Sequence, residues 1–159
     1  MTRAAHLVDA ARAAGIMIAT AESCTGGMVA AAITDIAGSS DVFDRGFVTY
    51  TNAAKMDMLG VEPATLEAYG AVSEPVAAQM ALGAVACSNA QLAVSLTGIA
   101  GPGGSDHKPE GRVCFGLHFG QITTTSTVEF GALGRAQVRT AACHHALDLL
   151  CKAITDAAK

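Results

Sequence analysis

Tryptophan is absent, and all aromatics together make up only 4% of the 159 residues. Charge is also scarce: 15% of residues carry one, against 51% that are apolar. That balance excludes a disordered or solvating chain and describes a buried, Ala/Gly/Val-rich α/β one, long enough for a real core. No run of like charges appears and the formal net charge is −4, which argues against a non-specific nucleic-acid surface. The five cysteines (Cys24, Cys87, Cys114, Cys143 and Cys151) form no C-x-x-C pair and are odd in number. They read as reduced, mostly buried thiols of a cytoplasmic protein. The N-terminus lacks a signal-type apolar core, and no apolar run is long enough to span a bilayer, so no membrane partner is expected. Neither a H-x-x-x-H nor a Cys/His cluster is present, so no metal is expected. A phosphate-binding G-x-x-x-x-G-K-[ST] motif and a dinucleotide fingerprint are missing too. Internal repeats, linkers and composition shifts are also lacking, so one domain over residues 1–159 is expected.

What is there alternates between strand and helix patterns. Residues 3–14 have the spacing of an amphipathic helix with Leu7, Val8 and Ala11 inward. Gly15–Ala19 reads as a buried strand, and Met28–Ile36 as an Ala-rich helix closed near Gly38. Gly46–Thr51 alternates as a strand, with Asn52 as N-cap of a short helix through Leu59. Pro63 opens a helix to about Tyr69, and Ser73 caps another to about Ser88. Leu92–Leu96 is a strand leading into a long Gly-rich loop, Gly98 to about Gly111. Arg112–Phe119 and Ile122–Phe130 flank Gly120-Gln121 as a hairpin, and a last helix runs from about Gly134 to Ala157. This order predicts a three-layer α/β/α sandwich with a mixed sheet. Ligands collect at the carboxyl ends of such strands. Three polar segments fall there: Thr20–Gly27, Tyr50–Lys55 and Thr97–Ser105.

The first of these, Thr20-Ala21-Glu22-Ser23-Cys24-Thr25-Gly26-Gly27, joins a strand to a helix. It reads either as an anion cradle, in which Gly26 and Gly27 let backbone approach a ligand, or as an ordinary helix start capped by Ser23 or Thr25. In the second, Lys55 falls at the third helical position after an Asn52 cap, where a cation opposes the helix dipole. A lysine biased toward neutrality beside a hydroxyl is how Ser–Lys hydrolases activate a nucleophile. Tyr50 could donate to an oxyanion. Ser40 and Ser23 compete for the nucleophile's place, with Ser40 the freer hydroxyl if the octet holds an anion; Cys24 ranks behind both, having no paired His. Arg135 and Arg139 open the last helix, an unfavourable place for cations unless they grip an anion such as a phosphate; Arg135 is the favoured one.

Ala21–Gly27, Gly38-Ser39-Ser40, Val48–Asn52 with Lys55, Gly70–Ser73, and Thr97–Pro102 with Lys108-Pro109 stand in an order and spacing that resemble the C-terminal domain of the competence/damage-inducible protein CinA. The resemblance covers most of residues 20–116. It implies hydrolysis of the carboxamide of nicotinamide mononucleotide to the acid and ammonia, with neither metal nor cofactor. On the family pattern, Ser40, Lys55 and Tyr50 match the catalytic hydroxyl, base and phenol. Ser23, Thr97 and Arg135 match substrate-contacting positions, and Thr25, Gly26, Gly27 and Gly98 are expected on the same surface. Ser23 and Ser40 both stay open as nucleophile. The family's usual Gly-Asp-Arg is Leu133-Gly134-Arg135 here, so an acid that could cap the helix or fix the guanidinium is missing. The chain resembles the stand-alone form, without a pyrophosphatase-like domain. Ala/Met-rich helices suggest a homo-oligomer.

Overall fold

A computed structural model describes residues 1–105 and 107–159. Helix α1 (Arg3–Ala14) is capped by Thr2, whose hydroxyl accepts the Ala5 N–H at 3.1 Å, and it buries Ala4, Leu7, Val8 and Ala11. Strand β1 (Ile18–Glu22) is buried at every position. It begins later than the expected Gly15–Ala19 and takes in the first residues of the octet. The reason is pairing on both sides: parallel partners flank β1 from Ile18 through Glu22, which leaves even Thr20 and Glu22 inside.

Helix α2 (Met28–Thr34) and a single 3-10 turn (Ser39–Asp41) lead to β2 (Phe43–Val48), parallel to β1. β2 ends earlier than expected, so Thr49, Tyr50 and Thr51 lie past its carboxyl end, before α3 (Asn52–Leu59). Helices α4 (Pro63–Tyr69) and α5 (Glu74–Ala86) then carry the chain to β3 (Leu92–Gly98), parallel to β1 on its other side. The hairpin β4 (Arg112–Phe119) and β5 (Ile122–Glu129) continues the sheet antiparallel, and α6 (Arg135–Ala157) follows. The strand order is β2-β1-β3-β4-β5, a mixed sheet as expected.

Ile18, Leu96 and Phe115 share one core with Leu7 and Val8 of α1, Val29 and Ile33 of α2, and Leu150 of α6. Ala19, Ala21 and Ala93 share the other with Leu59 of α3 and Met80 of α5. Two core layers thus sandwich the sheet. A side chain at Gly116 would come within 2.3 Å of the Ala77 carbonyl, so bare backbone there lets α5 lie flush on β4. None of the helices among the described residues is long and apolar enough to cross a membrane.

The topology places the site. From β1 the chain turns through α2 on one face to β2; from β2 it crosses the other face to β3. A crevice opens at the carboxyl ends of β1 and β3, where strand order reverses. All three polar segments flank it.

Candidate active site

The turn after β1 is built around an internal carboxylate. Glu22, 1% exposed, accepts the Thr25 hydroxyl at 2.6 Å and the Val29 and Ala30 N–H groups at 2.9 and 3.1 Å. These amides belong to the first turn of α2, so the positive end of that helix is filled by the protein's own anion. Of the two readings of the octet, the structure shows the helix start, closed by Glu22 instead of Ser23 or Thr25. Thr25 is wholly buried on Glu22, Gly26 and Gly27 supply the positive φ angles (58° and 110°) of the turn, and none of the three lines the cleft. Arg139 does not face the cleft either. Its Nε and Nη2 donate to the Cys24 and Thr25 carbonyls at 3.0 and 3.3 Å, pinning α6 to the turn.

The same turn presents Ser23 to Lys55. Ser23 stays in line with the sheet because its N–H donates to the Leu96 carbonyl at 3.0 Å. Thr51, rather than Asn52, caps α3 by accepting the Ala54 N–H at 3.1 Å. Lys55 is therefore the fourth helical residue, on the face turned toward β1. It is 1% exposed. Its Nζ lies 3.0 Å from Ser23 Oγ and donates to the Thr49 and Tyr50 carbonyls at 2.9 and 3.3 Å. A neutral amine has two N–H donors and one lone pair; two carbonyls and one hydroxyl match that inventory. Burial holds the Lys55 amine below the usual lysine range, with the neighbouring Cys24 acting weakly the other way. The dominant cause is thus desolvation, not the helix dipole that the sequence suggested.

Cys24 lines the cleft beside Ser23, but burial pushes its thiol up to about 11, so it stays protonated at neutral pH and is a poor nucleophile. Ser40 sits exposed in the 3-10 turn before β2. That is the amino end of the strands, a β2 length of about 20 Å from the crevice. The expected Ser40–Lys55 pair is not formed; Ser23 takes its place.

The cleft holds about 190 Å³ and is lined by Ser23, Tyr50, Lys55, Thr97, Gly98 and Arg135, joined by Asn52 and the Ala71-Val72 segment. Thr97 is 1% exposed and donates to the Ala71 carbonyl at 2.9 Å, fixing one wall. Lys108 fixes the same wall from outside, donating to the Tyr69 and Val72 carbonyls at 2.8 and 2.6 Å. Arg135 Nη2 donates to the Tyr50 hydroxyl at 3.0 Å and Nη1 to the Gly101 carbonyl at 2.7 Å. Its guanidinium is oriented without the acid missing at position 134. A larger hollow, about 380 Å³, lies between β4, β5 and α6 and contains none of these residues.

Sequence reasoning gave no site role to Asn52, to Ala71-Val72 or to Glu22, although the first two lie in the motifs that carry the resemblance. Glu22 left a signal of its own: a lone carboxylate one turn ahead of a Gly-Gly helix start.

Residues 1–154 match the CinA C-terminal domain family. The chain is 51% identical over 143 residues to nicotinamide-nucleotide amidohydrolase PncC of Escherichia coli K12, spanning 89% of this chain and 87% of that one. Identity reaches 62% over 109 residues with the PncC of Enterobacter agglomerans, 68% of this chain and 66% of the relative. In three dimensions the chain is similar to the competence/damage inducible protein CihA of Agrobacterium tumefaciens, with a TM-score of 0.92, 48% identity, and 96% and 93% coverage of the two chains.

Proposed function

The chain belongs to the CinA C-terminal domain family, and from that premise we propose that it hydrolyses the carboxamide of nicotinamide mononucleotide to nicotinate mononucleotide and ammonia. The relatives named as nicotinamide-nucleotide amidohydrolases support the reaction. The observation that carries the mechanism is the 3.0 Å contact between Ser23 Oγ and a buried Lys55.

In the first step Ser23 Oγ attacks the carboxamide carbon while its proton passes to Lys55 Nζ. The carbonyl π electrons move to oxygen, giving a tetrahedral oxyanion. Tyr50 stabilises it: Arg135 occupies an acceptor position on the phenol oxygen, which leaves the phenol proton free to donate. The oxyanion collapses, the C–N bond breaks, and Lys55 returns the proton to the leaving nitrogen, which departs as ammonia. The ester on Ser23 is then attacked by water. Lys55 takes a water proton and delivers it to Ser23 Oγ as the acid leaves. Proton and charge balance close over the cycle.

Arg135 supplies the cation for the nucleotide's phosphate, and Thr97 with Gly98 shapes the floor beneath the ring. The reaction runs on these side chains without a metal, in the cytoplasm. Exposed Met58, Tyr69 and Leu82 on the α3–α5 side support self-association, which light scattering of the purified protein tests.

The deciding experiment is ammonia release from nicotinamide mononucleotide with chelator present. Wild type is expected to be active, and Ser23→Ala and Lys55→Ala inactive though folded. A folded, inactive wild type that still binds the nucleotide would point instead to a non-catalytic binding module.

A further inference from the structure

Helix α6 has no cap of its own: Gly134 stands at its N-cap position with φ 97° and ψ 150°, and no side chain there accepts an amide. The residue at that position is instead held through its own N–H by a carboxylate from 24 residues upstream. Glu110 Oε2 accepts the Gly134 N–H at 3.2 Å, and Glu110 Oε1 accepts the Gly103 N–H at 2.7 Å. One carboxylate thus ties the start of α6 to the Gly-rich loop after β3, at the positive end of the helix.

Both tied points control Arg135. Gly134 is the residue before it and fixes where its Cα stands. Gly103 lies two residues after Gly101, whose carbonyl receives Arg135 Nη1 at 2.7 Å. The second guanidinium contact, to Tyr50 at 3.0 Å, completes the seat. A guanidinium has five N–H donors. With one from each terminal nitrogen held by protein oxygens, the others are left for a ligand at the cleft.

We propose that Glu110 is a positioning residue for phosphate recognition: in a chain without an acid at position 134, it holds Arg135 in the geometry that selects the nucleotide over the dephosphorylated nucleoside. The inference rests on the reading above, in which Arg135 takes the substrate's phosphate. Glu110 touches neither substrate nor reacting atoms. Its loss acts through Arg135 and leaves Ser23 and Lys55, on other elements, as they are.

The test measures kcat and KM for nicotinamide mononucleotide, and the inhibition constant of nicotinamide riboside as a competitor, in wild type, Arg135→Ala, Glu110→Ala and Glu110→Gln. Thermal melts report folding, and Glu110→Gln keeps the size of the side chain should Glu110→Ala fold poorly. Glu110→Ala is expected to raise the nucleotide KM about tenfold, ~1.4 kcal/mol, with kcat within about twofold and the riboside constant unchanged. Glu110→Gln, which retains one acceptor oxygen, is expected between the two. If Arg135→Ala weakens the nucleotide selectively and both Glu110 variants behave as wild type, the role of Glu110 is overturned while that of Arg135 stands. A Glu110 variant that weakens nucleotide and riboside equally, or lowers kcat alone, marks a general loop effect and also overturns it. Should Arg135→Ala leave the nucleotide KM unchanged, the phosphate reading fails, and this inference fails with it.

Discussion

Two Gly- and hydroxyl-containing turns flank β1 and β2, one at each end of the strands. At the amino end, Gly38-Ser39-Ser40 follows α2; Gly38 takes a left-handed φ of 82° and its carbonyl accepts Arg12 Nη2 at 3.2 Å. Arg12 also pairs with Asp41, so this turn serves to hold α1 against the sheet. At the carboxyl end, Ser23–Gly27 uses the same residue types, yet it faces Lys55 from α3 and receives Arg139 from α6. A serine hydroxyl is a weak nucleophile until a base removes its proton. Composition therefore did not separate the two turns. The side on which the crossing helices lay their lysine did.

The largest effect that sharpens this contrast is on turnover. Ser23→Ala and Lys55→Ala are each expected to lower kcat by about 10³-fold or more, and Ser40→Ala to stay within about twofold. Ammonia release by purified variants measures this, and a silent Ser23→Ala beside a dead Ser40→Ala would reverse the assignment. Next comes the anchor of the active turn. Glu22→Gln exchanges a carboxylate with three donors for a neutral amide, and is expected to cost about 2 kcal/mol, or roughly 4–8 °C in Tm. An unchanged melt would show that the turn does not depend on that carboxylate.

The pH dependence tests Lys55 itself. Because burial lowers its proton affinity, kcat/KM is expected to rise with pH along a limb centred below the ~10.4 of free lysine. A limb at or above that value breaks the argument. The unfolded chain binds this proton more tightly than the folded one, so stability rises with pH from the folded pKa of Lys55 up to ~10.4. Denaturant midpoints across alkaline pH should show that slope in wild type and lose it in Lys55→Met. The smallest effect is the companion one: Lys55→Met at neutral pH removes the cost of burying an amine that the unfolded chain holds protonated, and is expected to melt higher by about 2–4 °C, near 1 kcal/mol.

How much of this could be read in the sequence depends on what each residue's signal reports. Apolar periodicity located α1, α5, the hairpin and α6 within a few residues. It displaced β1 because Thr20 and Glu22 look like loop residues, and only pairing to strands on both sides shows that they are inside. It displaced β2 because an edge strand is half exposed and its pattern is weak. Tyr50, Lys55 and Arg135 were legible from the residues and Thr97 from the family resemblance, and the four line one cleft. Which serine meets Lys55 was not, since Ser40 looks free in a turn and Ser23 looks like a helix cap. Nothing local in the sequence says that Glu22 does the capping instead. Nor could local spacing show that Glu110 reaches Gly134.

The contacts made by α6 also set an order in time. Arg139 reaches back 115 residues to the Cys24 carbonyl, and Arg135 reaches back 85 to Tyr50. All five strands among the described residues precede residue 130, so they leave the ribosome ahead of either arginine. Contacts of such long sequence separation close late. With synthesis at about 5–20 residues per second, the half-made protein carries Ser23 and Lys55 but no finished cleft, and the docking of α6 completes it.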